Sequence, residues 1–116
     1  MQLVYVSSAA PGLSAADLEA IAGRSRARNE SAGLTGLLLH QGPYFYGVLE
    51  GERRRLFARM EEIITDRTHS RLRILREESI PSRRFENWSF GMLPAQDNGA
   101  VTPPEDFIWN LSRRLR

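Results

Sequence analysis

The sequence predicts an α+β fold of the ferredoxin-like plan: a βαββαββ sheet with two helices on one face, plus a C-terminal helix. Three observations predict it. The apolar period switches between two and 3.6 residues in the order β-α-β-β-α-β-β. The second and third strand segments are separated only by Gln41-Gly42-Pro43, which reads as a hairpin turn. The chain has 116 residues with 41% apolar content, which suits one domain around one modest core.

Residues 2–7, QLVYVS, are β-branched and aromatic and stop at Ala9-Ala10-Pro11-Gly12, so they read as the first strand. Ser14 with Asp17 three residues on is a capping-box pattern that opens the first helix, with Leu13 as a staple. Leu18, Ile21, Ala22, Ser25 and Asn29 follow at helical spacing. Residues 33–40, GLTGLLLH, and 44–50 make the hairpin, which Gly51 ends. A second helix is expected over 53–65, with Leu56, Met60, Ile63 and Ile64 on its apolar face and Arg53, Arg54, Arg59 and Glu62 largely opposite. Residues 66–70 read as a loop, 71–78 as a fourth strand and 88–93 as a fifth. Residues 94–101 read as a linker, and Thr102-Pro103-Pro104-Glu105 caps a helix with Phe107, Ile108, Leu111 and Leu115 on one side. The expected division is a folded unit over 1–93 and a linker with helix over 94–116.

Composition excludes several functions. There is no cysteine, hence no disulfide, thiolate metal site or cysteinyl adduct. Two histidines, His40 and His69, share no ligand spacing, so no metal is expected. All 16 basic side chains are arginine, interspersed with 14 acids for a net charge of +2. That scatter is not the continuous stripe a nucleic acid requires. No apolar run reaches membrane-spanning length and the start lacks a basic leader, so a cytoplasmic protein is expected. Paired catalytic acids, a Ser-His-Asp pattern and a phosphate loop do not stand out, so no enzyme is expected.

The informative residues break local rules. Ser25 and Asn29 stand on an apolar helical stripe, where polar groups need partners. Read locally, they are a small packing residue and a helix-end residue. Read functionally, they line a pocket between the helices, and the Asn29 amide suits a flat heteroaromatic edge. Tyr5 is the polar aromatic of the first strand, a core residue or an electron and proton donor. Asp66 reads as a turn cap, His69 as a surface residue and Trp88 as core. Gly47 interrupts the third strand, PYFYGVLEG, where glycine marks a bulge or a close approach. In the ferredoxin-like plan the first and third strands are central neighbours, which puts Tyr5 beside Gly47.

Taken together, Tyr5 in YVSSAAPGLS, SRARNESAGLTGLLL (25–39), LEG (49–51), DRTHS (66–70) and RRFENW (83–88) resemble the BLUF family, blue-light sensors using FAD. The match runs in order over about residues 1–93. The resemblance implies the fold reached above and a flavin between the two helices: FAD, with FMN or riboflavin as alternatives. It implies that the photoactive tyrosine is Tyr5 and that Asn29 holds the flavin. Ser25 and Arg28 then line the pocket, Asp66 with His69 stands on the loop beside it, and Trp88 is the tryptophan of the last strand.

Two positions depart from the family pattern. The family places a glutamine two residues before LEG, where this chain has Gly47, and commonly a methionine where this chain has Phe90. In the family, light is thought to move an electron and a proton from the tyrosine, after which the glutamine amide rearranges and its altered hydrogen bond is the lasting signal. Gly47 has no side chain to do this. Gln41 stands six residues back, about 20 Å along the chain at ~3.3 Å per residue. The expectation is a flavin-binding BLUF-type photoreceptor domain with an absent or altered photocycle, acting through self-association or a separate protein at the C-terminal helix. The alternatives are a BLUF-like scaffold without flavin that serves as an interaction module, and an acyl-phosphate hydrolase of similar topology.

Overall fold

The computed structural model describes residues 1–93. The linker and C-terminal helix expected over 94–116 lie outside the described residues. The elements are β1 (Gln2–Ala9), α1 (Ala15–Ser31), β2 (Thr35–Gln41), β3 (Tyr44–Glu50), α2 (Arg53–Thr65), β4 (His69–Glu78) and β5 (Trp88–Leu93). They form one five-stranded sheet in the order β4-β1-β3-β2-β5. All neighbours are antiparallel except β2 and β5, which are parallel. This is the ferredoxin-like α+β fold. No described helix is long and apolar enough to cross a membrane.

Local chemistry sets the elements. Ser14 Oγ accepts from the Asp17 amide at 3.1 Å while Asp17 Oδ2 accepts from the Ser14 amide at 2.9 Å, completing the capping box of α1. The hairpin closes at Gly42, whose φ of +55° suits glycine, and Gln41 pairs with Tyr44. Gly36 has φ +147°, and a Cβ there would lie 1.9 Å from the Val48 carbonyl oxygen, so only glycine lets β2 approach β3 so closely. β4 begins two residues earlier than its alternation suggested. The end of β1 reaches His69, and the Ala10 amide donates to the Thr68 carbonyl at 2.8 Å.

The two-residue period divides the sheet into two packed faces. Leu3, Tyr5, Leu38, Phe45 and Leu49 meet Leu18 and Ile21 of α1 and Leu56, Met60 and Ile63 of α2. Both helices therefore cover the same face. Val4, Val6, Leu37, Leu39, Tyr46 and Val48 form a second cluster on the other face with Phe85. The connection 79–87 joins one sheet edge to the other, and it seats Phe85 in that cluster. Glu50, fully buried, holds the connection in place: its Oε1 accepts from the Arg84 and Phe85 amides at 2.9 Å each, and its Oε2 accepts from Gln2 Nε2 at 2.9 Å.

Candidate ligand-binding site

The helix-bearing face carries a narrow cleft with a cavity volume of about 30 Å³. β1 contributes Tyr5 and Ser7, α1 contributes Ile21, Ser25 and Asn29, and α2 contributes Arg59 and Ile63. The turn after α2 adds Asp66 and Thr68, β4 adds His69, and β5 adds Trp88. The wall mixes polar and apolar groups on both sides: Ile21 and Ile63 stand with Ser25, Asn29 and Arg59 on the helices, and Ser7 and Tyr5 with Leu38, Phe45 and Trp88 on the sheet.

Asn29 and Arg59 are the central pair. Asn29 is 2% exposed and Arg59 is 6% exposed, and Arg59 Nε donates to Asn29 Oδ1 at 2.7 Å. Burial pushes the Arg59 guanidinium down from its usual value, against the pull of Glu62 and Tyr5. Glu62, on the exterior of the same helix, stands 3.9 Å away. The sequence reading set Arg59 on the solvent face of α2, and the structure corrects this. Leu56, Arg59, Met60 and Ile63 are the buried residues of α2. Their i, i+3, i+4, i+7 spacing is the signal that could have found Arg59.

Tyr5 lies beneath this pair, paired across the sheet with Gly47. The tyrosine ring covers the glycine: a Cβ at Gly47 would fall 2.2 Å from Tyr5 Cζ and 2.6 Å from its hydroxyl oxygen. Burial pushes the Tyr5 phenol from 10.0 up to about 12, with Arg59 opposing and Asp66 assisting. A folded-state value above the unfolded one makes a contribution to stability that is whole below pH 10 and is lost as pH rises through 12. Urea unfolding at pH 9 and pH 11.5 should show a loss that shrinks by roughly 2 kcal/mol in Tyr5→Phe. An identical loss in the variant would place the titration elsewhere.

The remaining candidates fall into two groups. Asp66 Oδ1 accepts from the Thr68 amide at 2.8 Å and from the Thr68 hydroxyl at 2.7 Å. Burial raises the Asp66 carboxyl, but the two Thr68 hydrogen bonds and then His69 outweigh it, so the net shift is downward. His69 is half-buried rather than a surface residue: its Nε2 is 2.5 Å from the Ile63 carbonyl, and its ring meets Phe45 edge-on. Trp88 is buried, with the Arg26 guanidinium 6.0 Å from its ring centroid. Arg28 lies outside the cleft wall: it is exposed and pairs with Glu62 at 3.6 Å. Phe90 packs against the helix-side core opposite Leu38, away from the wall. Gly47 contributes only the floor under Tyr5. Gln41 is three rungs from Gly47, about 10 Å rather than 20 Å because the hairpin folds back. By its parity it shares the opposite face with Leu37 and Leu39.

The residues fit a flat polar-edged ligand. Ser7 is 2% exposed, and its hydroxyl, though it lines the cleft, has no hydrogen-bond partner within the protein. A buried hydroxyl of this kind calls for a partner supplied from outside the chain. Among the described residues, no three His, Cys, Asp or Glu side chains stand together as metal ligands would.

A family model described as BLUF, sensors of blue-light using FAD, matches residues 1–91. Among solved structures, the dark-state structure of BlrB, a BLUF protein, superposes with a TM-score of 0.73 at 32% identity, covering 80% of this chain and 70% of that one. Klebsiella pneumoniae BlrP1 with FMN and cyclic diGMP gives a TM-score of 0.73 at 30% identity, covering 96% of this chain and 33% of that one. A bacterial light-regulated adenylyl cyclase gives a TM-score of 0.74 at 25% identity, covering 98% of this chain and 33% of that one. This chain thus spans about a third of the length of the last two. A search of curated proteins finds no match. The chain belongs to the BLUF family of flavin-using blue-light sensors.

Proposed function

We propose that the cleft binds FAD, with FMN or riboflavin as the alternatives, and that blue light does not drive this domain into the family's lasting red-shifted state. The observation that carries the second statement is the Tyr5 ring lying on Gly47, in the volume a glutamine side chain would need. When bound, the flavin supplies a light-absorbing ring that can accept an electron. Tyr5 is the neighbouring donor, and burial keeps its phenol protonated throughout the neutral range. Asn29 and Arg59, tied together across the helices, fix the polar edge. Ser25 adds a hydroxyl one turn earlier on α1, and Asp66 holds the turn that carries Thr68 and His69. Ile21, Leu38, Ile63 and Trp88 exclude water from the ring's faces. No side chain at position 47 can record a change in hydrogen bonding after the light is gone.

The domain is a sensor, and an effect on an enzyme would be exerted through a partner. Its structural neighbours include a light-regulated adenylyl cyclase and a BlrP1 complex with cyclic diGMP, which motivates testing this domain beside an effector. We place the contact on the C-terminal segment, which lies outside the described residues, through self-association or a second protein, on the strength of its apolar residues Phe107, Ile108, Trp109 and Leu111.

The test is an absorption spectrum of the purified protein before and after blue light. A yellow protein with strongly quenched fluorescence and no lasting red shift is expected. A stable red shift would refute the altered photocycle. Colourless protein whose melting temperature ignores added FAD would refute flavin binding and leave the interaction scaffold.

A further inference from the structure

The far face of the sheet carries a second cavity, of about 210 Å³, and Val6, Ser8, Tyr44, Arg71 and Arg73 line it. Ser7, on the strand between, is the one residue it shares with the helix-side cleft. The lining holds two guanidinium groups and no carboxylate. Among the described residues neither arginine has an ion-pair partner. The backbone departs from a regular ladder at the same place. From Val6 to Ser8 β1 advances two residues, while β4 advances three from Ser70 to Arg73. The extra residue leaves Arg71 at φ +54°, the one positive value among the described non-glycine residues. Glycine or asparagine would rest there at less cost. Register shifts of this kind re-aim side chains beside binding sites.

We propose that this far-face cavity binds a phosphate-bearing ligand with a flat body, a nucleoside monophosphate, whose phosphate Arg71 and Arg73 hold and whose base lies on Tyr44. Each guanidinium offers a planar fork of N–H donors that matches two phosphate oxygens. The Ser8 hydroxyl adds a donor and Val6 an apolar wall. Tyr44 is half-buried and its ring is backed by Tyr46, with centroids 6.1 Å apart, so stacking a base on it orders little that is not already ordered. A lining with two cations and no carboxylate repels metal ions and amines. Charge on an edge strand also guards it against other chains, and β4 is such an edge. Guarding requires neither a cavity nor an arginine at positive φ. The site lies across the sheet from the proposed flavin cleft and does not depend on the flavin reading.

The experiment is a calorimetric titration of the full chain, as purified, with adenosine monophosphate, inorganic phosphate and adenosine at low salt. The monophosphate should bind with a submillimolar dissociation constant, at least ~tenfold tighter than inorganic phosphate or adenosine, because stacking and the charged hydrogen bonds act together. Its affinity should fall as salt is added. Arg73→Gln should weaken it about tenfold, the loss of one charge-assisted hydrogen bond. Arg71→Gly should weaken it as much while melting close to the wild type, since glycine takes a positive φ without strain. Lost binding in that variant is then not lost folding. Affinity unchanged in both variants would assign the arginines to guarding the strand edge and overturn the proposal. Inorganic phosphate or adenosine binding as tightly as the monophosphate overturns it too, as does a wild type that takes up no monophosphate at millimolar concentration.

Discussion

Gly47→Gln should give the protein a light-induced red shift that persists after illumination, where none is expected of the wild type. The new Cβ would fall 2.2 Å from Tyr5 Cζ and 2.3 Å from Cε1, so the ring must leave. Those atoms are the far end of a side chain with two rotatable bonds, about which the ring can turn aside. The exchange thus supplies two things at once: an amide that can donate and accept, and a Tyr5 ring moved off the strand. Gly47→Ala separates them. It displaces the ring in the same way but adds no hydrogen-bonding group, so its fluorescence quenching should change while no lasting shift forms. Difference spectra of the three proteins check this. A red shift in the alanine variant would assign the effect to the ring alone, and none in the glutamine variant would sink the claim that position 47 is what this domain lacks.

Glu50→Ala should cost about 4 kcal/mol of unfolding free energy, a large share of what a domain of this size has. The carboxylate is fully buried and accepts three hydrogen bonds, two of them from the backbone of the connection that crosses the far face. Removing it leaves the Arg84 and Phe85 amides and the Gln2 amino group without that acceptor, and opens a cavity beside Phe85. The Gln2 carbonyl oxygen already lacks a partner, so little slack exists there. Glu50→Gln keeps an acceptor for the amides and should cost less than half as much. Chemical denaturation measures both, and limited proteolysis within 79–87 should report the freed connection. An alanine variant within 1 kcal/mol of wild type would mean that Phe85 alone holds the crossing.

The capping box of α1, the hairpin at Gly42 and the alternation in β1 and β3 are local, and each was legible because neighbouring residues decide it. Asn29 was visible as a polar break in an apolar stripe. Arg59 was not, because charge was read as solvent-facing, although its spacing from Leu56 and Met60 is that of a core residue. The 20 Å assigned to Gln41 measured the chain and ignored the fold back of the hairpin. Glu50 looked like the end of a strand, since its hydrogen-bond partners lie more than thirty residues away in sequence.

By itself the sequence determined the ferredoxin-like order of elements, the family, and the lack of a side chain at position 47. These follow from short-range periodicity and from residue identity, which no packing can change. Only the tertiary structure decided what fills the space above Gly47, which way the Asn29 amide faces, and what covers the far side of the sheet. Each depends on groups brought together from distant segments: Tyr5 against Gly47, Arg59 against Asn29, Phe85 against Val48. Pairings of that kind arise when the chain buries its surface, and a one-dimensional pattern holds no distance between them.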